Sequence, residues 1–157
     1  MEKITTFLWF DGDAEAAAEL YTSIFERSRI VSVTHYGAAG PGPEGSVMTV
    51  AFELEGREFV ALNGGPHFTF TEAVSFVVNC ETQAEVDRYW QRLSEDGEEG
   101  PCGWLKDRFG LSWQVVPTAL IRMLQDPDPA RTGRVTQAMM QMKKLDLERL
   151  ERARAGG

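Results

Sequence analysis

The sequence repeats one order of predicted elements in its two halves, and this repetition constrains the fold more than any other feature. In the first half a strand-like apolar run ends at Phe10, eleven residues before Tyr21 on the apolar face of a predicted helix. In the second half Val78 closes a similar run, eleven residues before Tyr89 on a second helical face. A repeat of this length predicts two copies of one supersecondary unit.

The first copy is expected to have the order β-α-β-β-β. Residues 4–10 predict a buried strand, and Asp13 is the expected N-cap of the helix that follows. One face of that helix carries apolar residues with helical spacing: Ala17, Leu20, Tyr21, Ile24 and Phe25. Three further strands are expected, the last two as a hairpin: 29–36, 47–54 and 58–62. Residues 37–45 are rich in glycine and proline and predict a loop.

The second copy begins with a predicted strand at residues 73–78. Thr82 and Glu85 have the spacing of a helix capping box. The helix after them carries a matching apolar face: Val86, Tyr89, Trp90 and Leu93. Two short strands joined by a D-x-x-G turn complete the copy, near 103–106 and 111–116.

After Pro117 the pattern becomes helical, with an interruption at residues 126–129. The apolar residues fall into three short faces: Leu120, Ile121 and Leu124; Val135, Ala138, Met139 and Met142; Leu147 and Leu150. The methionines are interpreted as core or subunit-contact residues rather than as a ligand surface.

Length and charge exclude several classes of partner. A chain of 157 residues with 43% hydrophobic content suits one packed domain. A net charge of −8 disfavours nucleic acid and anionic membrane surfaces, which both require clustered Lys and Arg. No apolar run reaches the ~18 residues of a membrane span or resembles a signal peptide, and two cysteines make no disulfide framework. We therefore expect a cytoplasmic protein with no nucleic-acid and no membrane partner.

Four sequence blocks together resemble a known family. They are FLWFDGDAEAAAELYTSIF, GSVMTVAFELEGREFVALNGGP, VSFVVNCETQAEVDRYWQRL and CGWLKDRFGLSWQVVP. These blocks resemble PhnB-like proteins, also described as demethylubiquinone methyltransferase-like, of the vicinal oxygen chelate superfamily of glyoxalases, bleomycin-resistance proteins and dioxygenases. The resemblance implies an α+β fold of paired β-α-β-β-β modules with C-terminal helices. It also implies a cavity shared by the two modules, and a homodimer.

The same resemblance predicts the domain organisation. It implies a single vicinal oxygen chelate domain over residues 1–157. Within it, the first module is expected at 1–65, the second at 70–117, and a C-terminal helical segment at 118–157.

Metal-dependent members of the superfamily hold a divalent ion through His or Glu side chains on their strands. At the matching positions the resemblance places Thr5, Asn63 (with Ala61 as the alternative), Ala73 and Gln114. Alanine cannot ligate a metal, and neutral oxygens compensate no charge, whereas transition metals prefer imidazole, thiolate or carboxylate. We therefore expect neither a metal nor another cofactor in the cavity.

The cavity is expected to be apolar with a few polar groups. Alternation along the last strand puts Ser112 and Gln114 on one face, opposite Trp113 and Val115. Following the resemblance, the residues expected to contact a ligand are Thr5, Phe7, Trp9, Asn63, Ser75 and Gln114. Such a lining suits a small, mainly neutral organic ligand. The alternative is that the aromatic residues among them fill the core.

Three other features are functional candidates. His67 follows Gly-Gly-Pro and is interpreted either as a general base at the cavity mouth or as a surface residue. Cys102, with Lys106 and Arg108 near in sequence, is a candidate reactive thiol. Gly40–Gly45 matches G-x-G-x-x-G, but a strand follows it rather than a helix, and its prolines remove N–H donors. We therefore interpret that segment as a lid or a plain hairpin connection, and not as a nucleotide site.

Two functional hypotheses follow. The first is a dimeric, metal-free protein that binds a small aromatic or quinone-like molecule. The second is an enzyme of the same superfamily, a lyase, isomerase, dioxygenase or methyltransferase, in which Gln114, Asn63 and His67 orient a substrate. The sequence contains no recognisable S-adenosylmethionine fingerprint and identifies no catalytic residue.

Overall fold

The computed structural model describes residues 2–157. The chain divides into two compact units, of which the first ends at Phe70 and the second begins at Thr71.

The first unit is a four-stranded sheet covered on one face by a helix. Its elements are β1 (Thr6–Phe10), α1 (Ala14–Ile24), β2 (Arg29–His35), β3 (Val47–Leu54) and β4 (Arg57–Asn63). The strand order is β1-β4-β3-β2, with β1 parallel to β4 and the other pairs antiparallel. The helix buries Tyr21 against this sheet, where Phe52 and Phe59 stack with ring centroids 5.4 Å apart.

The second unit repeats this topology. Its elements are β5 (Ser75–Cys80), α2 (Gln83–Ser94), β6 (Glu98–Glu99), β7 (Trp104–Lys106) and β8 (Ser112–Pro117). The order β5-β8-β7-β6 corresponds strand for strand to that of the first sheet, and β5 is again parallel to β8. The predicted duplication of a β-α-β-β-β unit is therefore confirmed.

Three helices follow the second sheet within the same unit: α3 (Thr118–Leu124), α4 (Pro129–Met140) and α5 (Leu147–Ala155). They enclose a small core of their own: Leu120, Met123, Val135, Met142, Leu145 and Leu150. Pro129 occupies the first turn of α4, where the missing N–H has no helical partner to lose.

Several element boundaries differ from the sequence-based expectation. The strand predicted at 73–78 runs instead from Ser75 to Cys80, because its parallel pairing with β8 extends to Pro117. Phe25 was expected on the helical face but has extended backbone as the C-cap of α1. The two-residue strand β6 was not predicted, since Glu98 and Glu99 have no apolar pattern.

The apolar faces predicted for the C-terminal helices were only partly correct. Leu120 is buried as predicted, but Ile121 and Leu124 are each 40% exposed, and the second buried residue of α3 is Met123. Met142 lies beyond the end of α4 but is buried in the small core.

Candidate functional site

The open face of the second sheet, on the side away from α2, brings together polar and aromatic side chains from three strands. Ser75, Ser112 and Lys106 lie side by side across β5, β8 and β7. The next row on the same face contains Gln114 of β8 beside Trp104 of β7. Neighbouring residues in paired strands point to the same side of a sheet, so these five side chains share one surface.

Two residues predicted for the site are in direct contact on this face. The Gln114 side-chain amide donates to the Ser75 hydroxyl through Nε2 and Oγ, which are 3.0 Å apart. Both side chains are half-buried. The contact orients the amide and leaves its carbonyl oxygen as a further acceptor.

Ser112 supplies a buried polar group that has no protein partner. It is 1% exposed, and across the described residues its hydroxyl makes no hydrogen bond. It lies in the wall of a pocket of about 440 Å³, which also involves Pro101 and Trp104. Because an unsatisfied buried hydroxyl costs free energy, a molecule in this pocket that hydrogen-bonds to Ser112 would offset that cost.

An ion pair lies at the same pocket. The Lys106 ammonium pairs with the Glu72 carboxylate, and Glu98 is close enough to interact with the same ammonium. The hydrogen bond from Lys106 lowers the pKa of Glu72, and the hydrogen bond to Glu72 raises the pKa of Lys106. Two carboxylates around one ammonium give this pocket wall a net negative charge, which disfavours anionic ligands.

In the first unit, Thr5, Phe7 and Trp9 lie on the sheet face opposite α1. Phe7 is 61% exposed. Trp9 is half-buried and fixed, since its indole Nε1 donates to the Gly65 carbonyl at 2.9 Å and its ring meets Phe68 edge-on at 4.8 Å. The Thr5 hydroxyl donates to a Glu58 carboxylate oxygen at 3.5 Å. Phe7 is therefore the most accessible of the three for a ligand.

Asn63 has a structural partner at each end of its side chain. Its Oδ1 accepts from the Ala14 N–H at 2.9 Å, at the start of α1, and its Nδ2 donates to the Val47 carbonyl at 3.1 Å. The Asn63 backbone carbonyl also accepts from the Tyr36 hydroxyl. The amide thus joins α1, β3 and β4, and little hydrogen-bonding capacity is left for a ligand.

A second pocket, of about 570 Å³, lies at the ends of β1 and β4, where His67 and Pro41 are among its walls. His67 is exposed and lies edge-on to the Trp9 ring at 6.4 Å. The Gly-Pro loop packs against Tyr36: a Cβ on Gly40 or Gly42 would collide with the tyrosine ring. Gly40 and Gly42 of the G-x-G-x-x-G match therefore allow this close packing, and β3 rather than a helix follows the loop.

The two cysteines have different surroundings. Cys80 is buried, and burial raises the pKa of its thiol to about 12. Cys102 is half-exposed and its sulfur lies 3.6 Å from the Met140 sulfur. The Lys106 side chain, considered as an activator of Cys102, is instead paired with Glu72.

The side chains at the metal-ligand positions that the resemblance predicts do not fit a divalent ion. Thr5 and Asn63 are hydrogen-bonded to protein groups, Gln114 is bonded to Ser75, and Ala73 offers no donor. Within residues 2–157, no three His, Cys, Asp or Glu side chains cluster to hold a metal. We therefore assign no role to a metal ion at these positions.

Sequence reasoning missed Glu72, Trp104 and the pairing of Lys106, although it placed Ser112 on the same face as Gln114. Alternation within one strand identifies such a face, but the register between strands decides which residues meet across it. The turn 107–110 could have suggested a hairpin register that sets Lys106 beside Ser112.

Comparisons with known proteins agree with this topology. The family model described as 3-demethylubiquinone-9 3-methyltransferase matches residues 2–116. A solved structure described as a putative 3-demethylubiquinone-9 3-methyltransferase, PhnB protein, from Bacillus cereus is 42% identical, with a TM-score of 0.66 over 74% of this chain and 99% of that one. No curated protein matches the chain.

More distant structures share the fold. PA1353 from Pseudomonas aeruginosa is 20% identical, with a TM-score of 0.62 over 74% of this chain and 98% of that one. The fosfomycin resistance protein FosX from Mesorhizobium loti is 14% identical, with a TM-score of 0.52 over 73% and 91% of the two chains.

No helix within residues 2–157 combines the length and apolar character needed to cross a bilayer. The duplicated β-α-β-β-β topology and the match over residues 2–116 lead to one conclusion. The chain belongs to the PhnB-like family described as 3-demethylubiquinone-9 3-methyltransferase.

Proposed function

We propose that this protein binds a small, flat, mainly apolar and uncharged molecule on the open face of its second sheet. The observation that carries the proposal is the buried, unpartnered Ser112 hydroxyl in the wall of the 440 Å³ pocket. A pocket of this size suits a small organic ligand, and a polar group beside apolar surfaces is the usual means of orienting it.

The walls favour a particular ligand chemistry. Trp104 and Pro101 provide flat apolar surfaces, which suit an aromatic or quinone ring. The Ser112 hydroxyl can donate to a ligand carbonyl, and the negative balance around Lys106 disfavours an acid or a phosphate. A neutral aromatic carbonyl compound or quinone meets all three conditions.

A binding experiment with two probes tests this proposal. Menadione carries two carbonyl oxygens, whereas 1-aminoanthracene is a similarly flat neutral molecule with no carbonyl. We expect both to bind, followed for menadione by quenching of tryptophan fluorescence and for 1-aminoanthracene by its own emission. Ser112→Ala should weaken menadione binding about 5-fold and leave 1-aminoanthracene binding almost unchanged, because one hydrogen bond contributes about 1 kcal/mol.

Trp104→Ala should weaken the binding of both probes, because the variant removes a wall of the pocket. Ile121→Ala, at an exposed position of α3, is the matched control and should change neither affinity. Equal binding of menadione by the wild type and by Ser112→Ala would contradict the proposal, as would binding unaffected by Trp104→Ala.

The first unit is a separate arm of the same experiment. Phe7 is exposed on its own sheet face, as expected for a residue that contacts a ligand. We propose Phe7 as a ligand contact of the first unit by itself, so Phe7→Ala should remove menadione binding on that face and leave the affinity of the second-unit pocket unchanged. A menadione stoichiometry that Phe7→Ala does not lower would restrict the site to the second unit.

Catalysis is the second candidate function, supported by the Gln114 amide that Ser75 holds in place. An oriented amide can fix a substrate carbonyl for lyase, isomerase or transferase chemistry. Turnover of a quinone-like compound that is lost in Gln114→Ala, with folding intact, would support an enzyme. Native mass spectrometry that finds a retained, unchanged small molecule would support a binding protein.

A further inference from the structure

The chain continues well beyond the part that defines its family. The family match ends at residue 116, and the matched Bacillus cereus chain is covered over 99% of its length by 74% of this chain. Residues 118–157, here called the C-terminal extension, form α3, α4 and α5. The following inference concerns this extension and rests on the proposed ligand pocket.

The C-terminal extension contacts the second sheet through the connection between α4 and α5. The turn at residues 101–104 lies opposite this connection, and Trp104 N donates to the Pro101 carbonyl at 3.0 Å to close it. The two central residues, Cys102 and Gly103, have φ values of 58° and 85°. Positive φ at both central positions is the requirement of a tight two-residue hairpin turn, and it is unfavourable for a residue with a Cβ.

The C-terminal extension accepts hydrogen bonds from the two backbone N–H groups that this turn directs outward. Cys102 N donates to the Met142 carbonyl, and Gly103 N donates to the Lys143 carbonyl, each at 2.8 Å. Leu145, which is fully buried, packs directly over the turn. A Cβ on Gly103 would lie 2.9 Å from Leu145 Cδ1 and 2.9 Å from the Val115 carbonyl oxygen.

The same connection is fixed to α2 by one glutamine. Gln83 Nε2 donates to the Leu145 carbonyl at 3.0 Å, and Gln83 Oε1 accepts from the Leu147 N–H at 2.8 Å. An ion pair between Lys144 and Asp87, 2.8 Å apart, lies beside it. The connection is therefore held between α2 on one side and the turn on the other.

The supported turn is also a wall of the candidate pocket, since Gly100, Pro101 and Trp104 line that pocket. We propose that the C-terminal extension sets the shape of the ligand pocket by holding the 101–104 turn through the α4–α5 connection. Gln83 acts as a positioning residue in this arrangement, because it fixes the connection without touching the pocket.

Residue-resolved amide hydrogen exchange and menadione binding, measured on the full chain, test this proposal. In the wild type, the Cys102 and Gly103 amides should exchange slowly although the turn is near the surface. Gln83→Met removes both side-chain bonds to the connection and keeps a similar shape. It should raise the exchange rate of the two turn amides about 10-fold and weaken menadione binding about 5-fold.

Gln137→Met is the matched control, since Gln137 is an exposed glutamine of α4. It should leave the exchange of the turn amides and the affinity unchanged. If Gln83→Met does not fold, Gln83→Glu provides a milder change, because it keeps the acceptor for the Leu147 N–H. Faster exchange at the same two amides is again the expected result.

The outcomes separate this proposal from the proposed function. No menadione binding by the wild type would remove the proposed function itself, before any variant is made. Wild-type binding combined with unprotected Cys102 and Gly103 amides would overturn the positioning role alone. Faster exchange in Gln83→Met without any loss of affinity would overturn it as well.

Discussion

Buried polar side chains around the candidate site mostly hold the backbone in place. Asp107 is 2% exposed, and its carboxylate accepts from the N–H groups of Phe109 and Leu111 and from the Trp113 indole. The D-x-x-G turn that helped to identify the family is therefore stabilised by its own aspartate. Ser112 differs from Asp107 and Asn63 because it is buried without a partner.

Asn63→Leu should destabilise the protein by about 2–4 kcal/mol, because it leaves the Ala14 N–H and the Val47 carbonyl without their partner. Urea denaturation measures the change. Asn79→Leu, at an exposed position near the end of β5, is the matched control and should cost far less. Equal losses in the two variants would contradict the structural role of Asn63.

Ser112→Ala should have the opposite effect on stability. Removing a buried hydroxyl that lacks a partner should raise the free energy of unfolding by about 1 kcal/mol. The same variant is expected to weaken menadione binding, so a gain in stability would accompany a loss of binding. A destabilised variant in thermal or urea unfolding would indicate that the hydroxyl has a protein partner.

Cys80 should make stability depend on alkaline pH. Burial, followed by the charges of Glu85 and Glu81, raises the pKa of its thiol from 9.0 to about 12. The contribution of the Cys80 thiol to the free energy of unfolding is complete below pH 9. It is lost as the pH rises from 9 to about 12, because only the unfolded thiol ionises in that range. The free energy of unfolding should fall by about 1.4 kcal/mol per pH unit above 9 from this group.

Urea unfolding of the wild type and of Cys80→Ala at pH 8 and pH 10 isolates this contribution. The variant should lose less stability between the two pH values than the wild type does. Cys102→Ala, which changes the half-exposed cysteine, should follow the wild type. Parallel pH profiles for all three proteins would show that Cys80 does not carry the effect.

At the scale of elements, the starts of α1 and α2 show which contacts the local sequence can predict. The Thr82 hydroxyl accepts from the Glu85 N–H at 3.2 Å, so the predicted N-cap is confirmed. Asp13 is also the N-cap of α1 as predicted, but its carboxylate makes no capping bond. Asn63 of β4 accepts from the first helical N–H there, a contact that spans 49 residues of sequence. Local spacing predicted the positions of both N-caps. At the start of α1, however, the hydrogen-bond acceptor is supplied by tertiary structure.

Thr82→Ala should destabilise the protein by about 1 kcal/mol, the usual contribution of an N-cap hydroxyl. Thr136→Ala, on the exposed surface of α4, is a control of the same chemistry outside a cap. Thermal unfolding should show a clear loss for the first variant and little change for the second. Similar midpoints for both would argue against the cap.

At the scale of the whole molecule, the family membership is shown, and a homodimer remains a prediction from the sequence resemblance. The single-domain organisation over residues 1–157 is likewise still a prediction, alongside the two compact units. We expect analytical ultracentrifugation to give twice the chain mass of 17.5 kDa at micromolar concentration. A single species of 17.5 kDa over that range would contradict the predicted dimer.

The sequence by itself determined the β-α-β-β-β order of the first half, every element except β6 in the second, the positions of the N-caps Asp13 and Thr82, and the loop at 37–45, because apolar periodicity and turn residues act over a few positions. It could not determine the register that sets Ser75 beside Ser112. Nor could it show that the α4–α5 connection holds the 101–104 turn. Those contacts join residues far apart in the chain, so only the packed tertiary structure decided them.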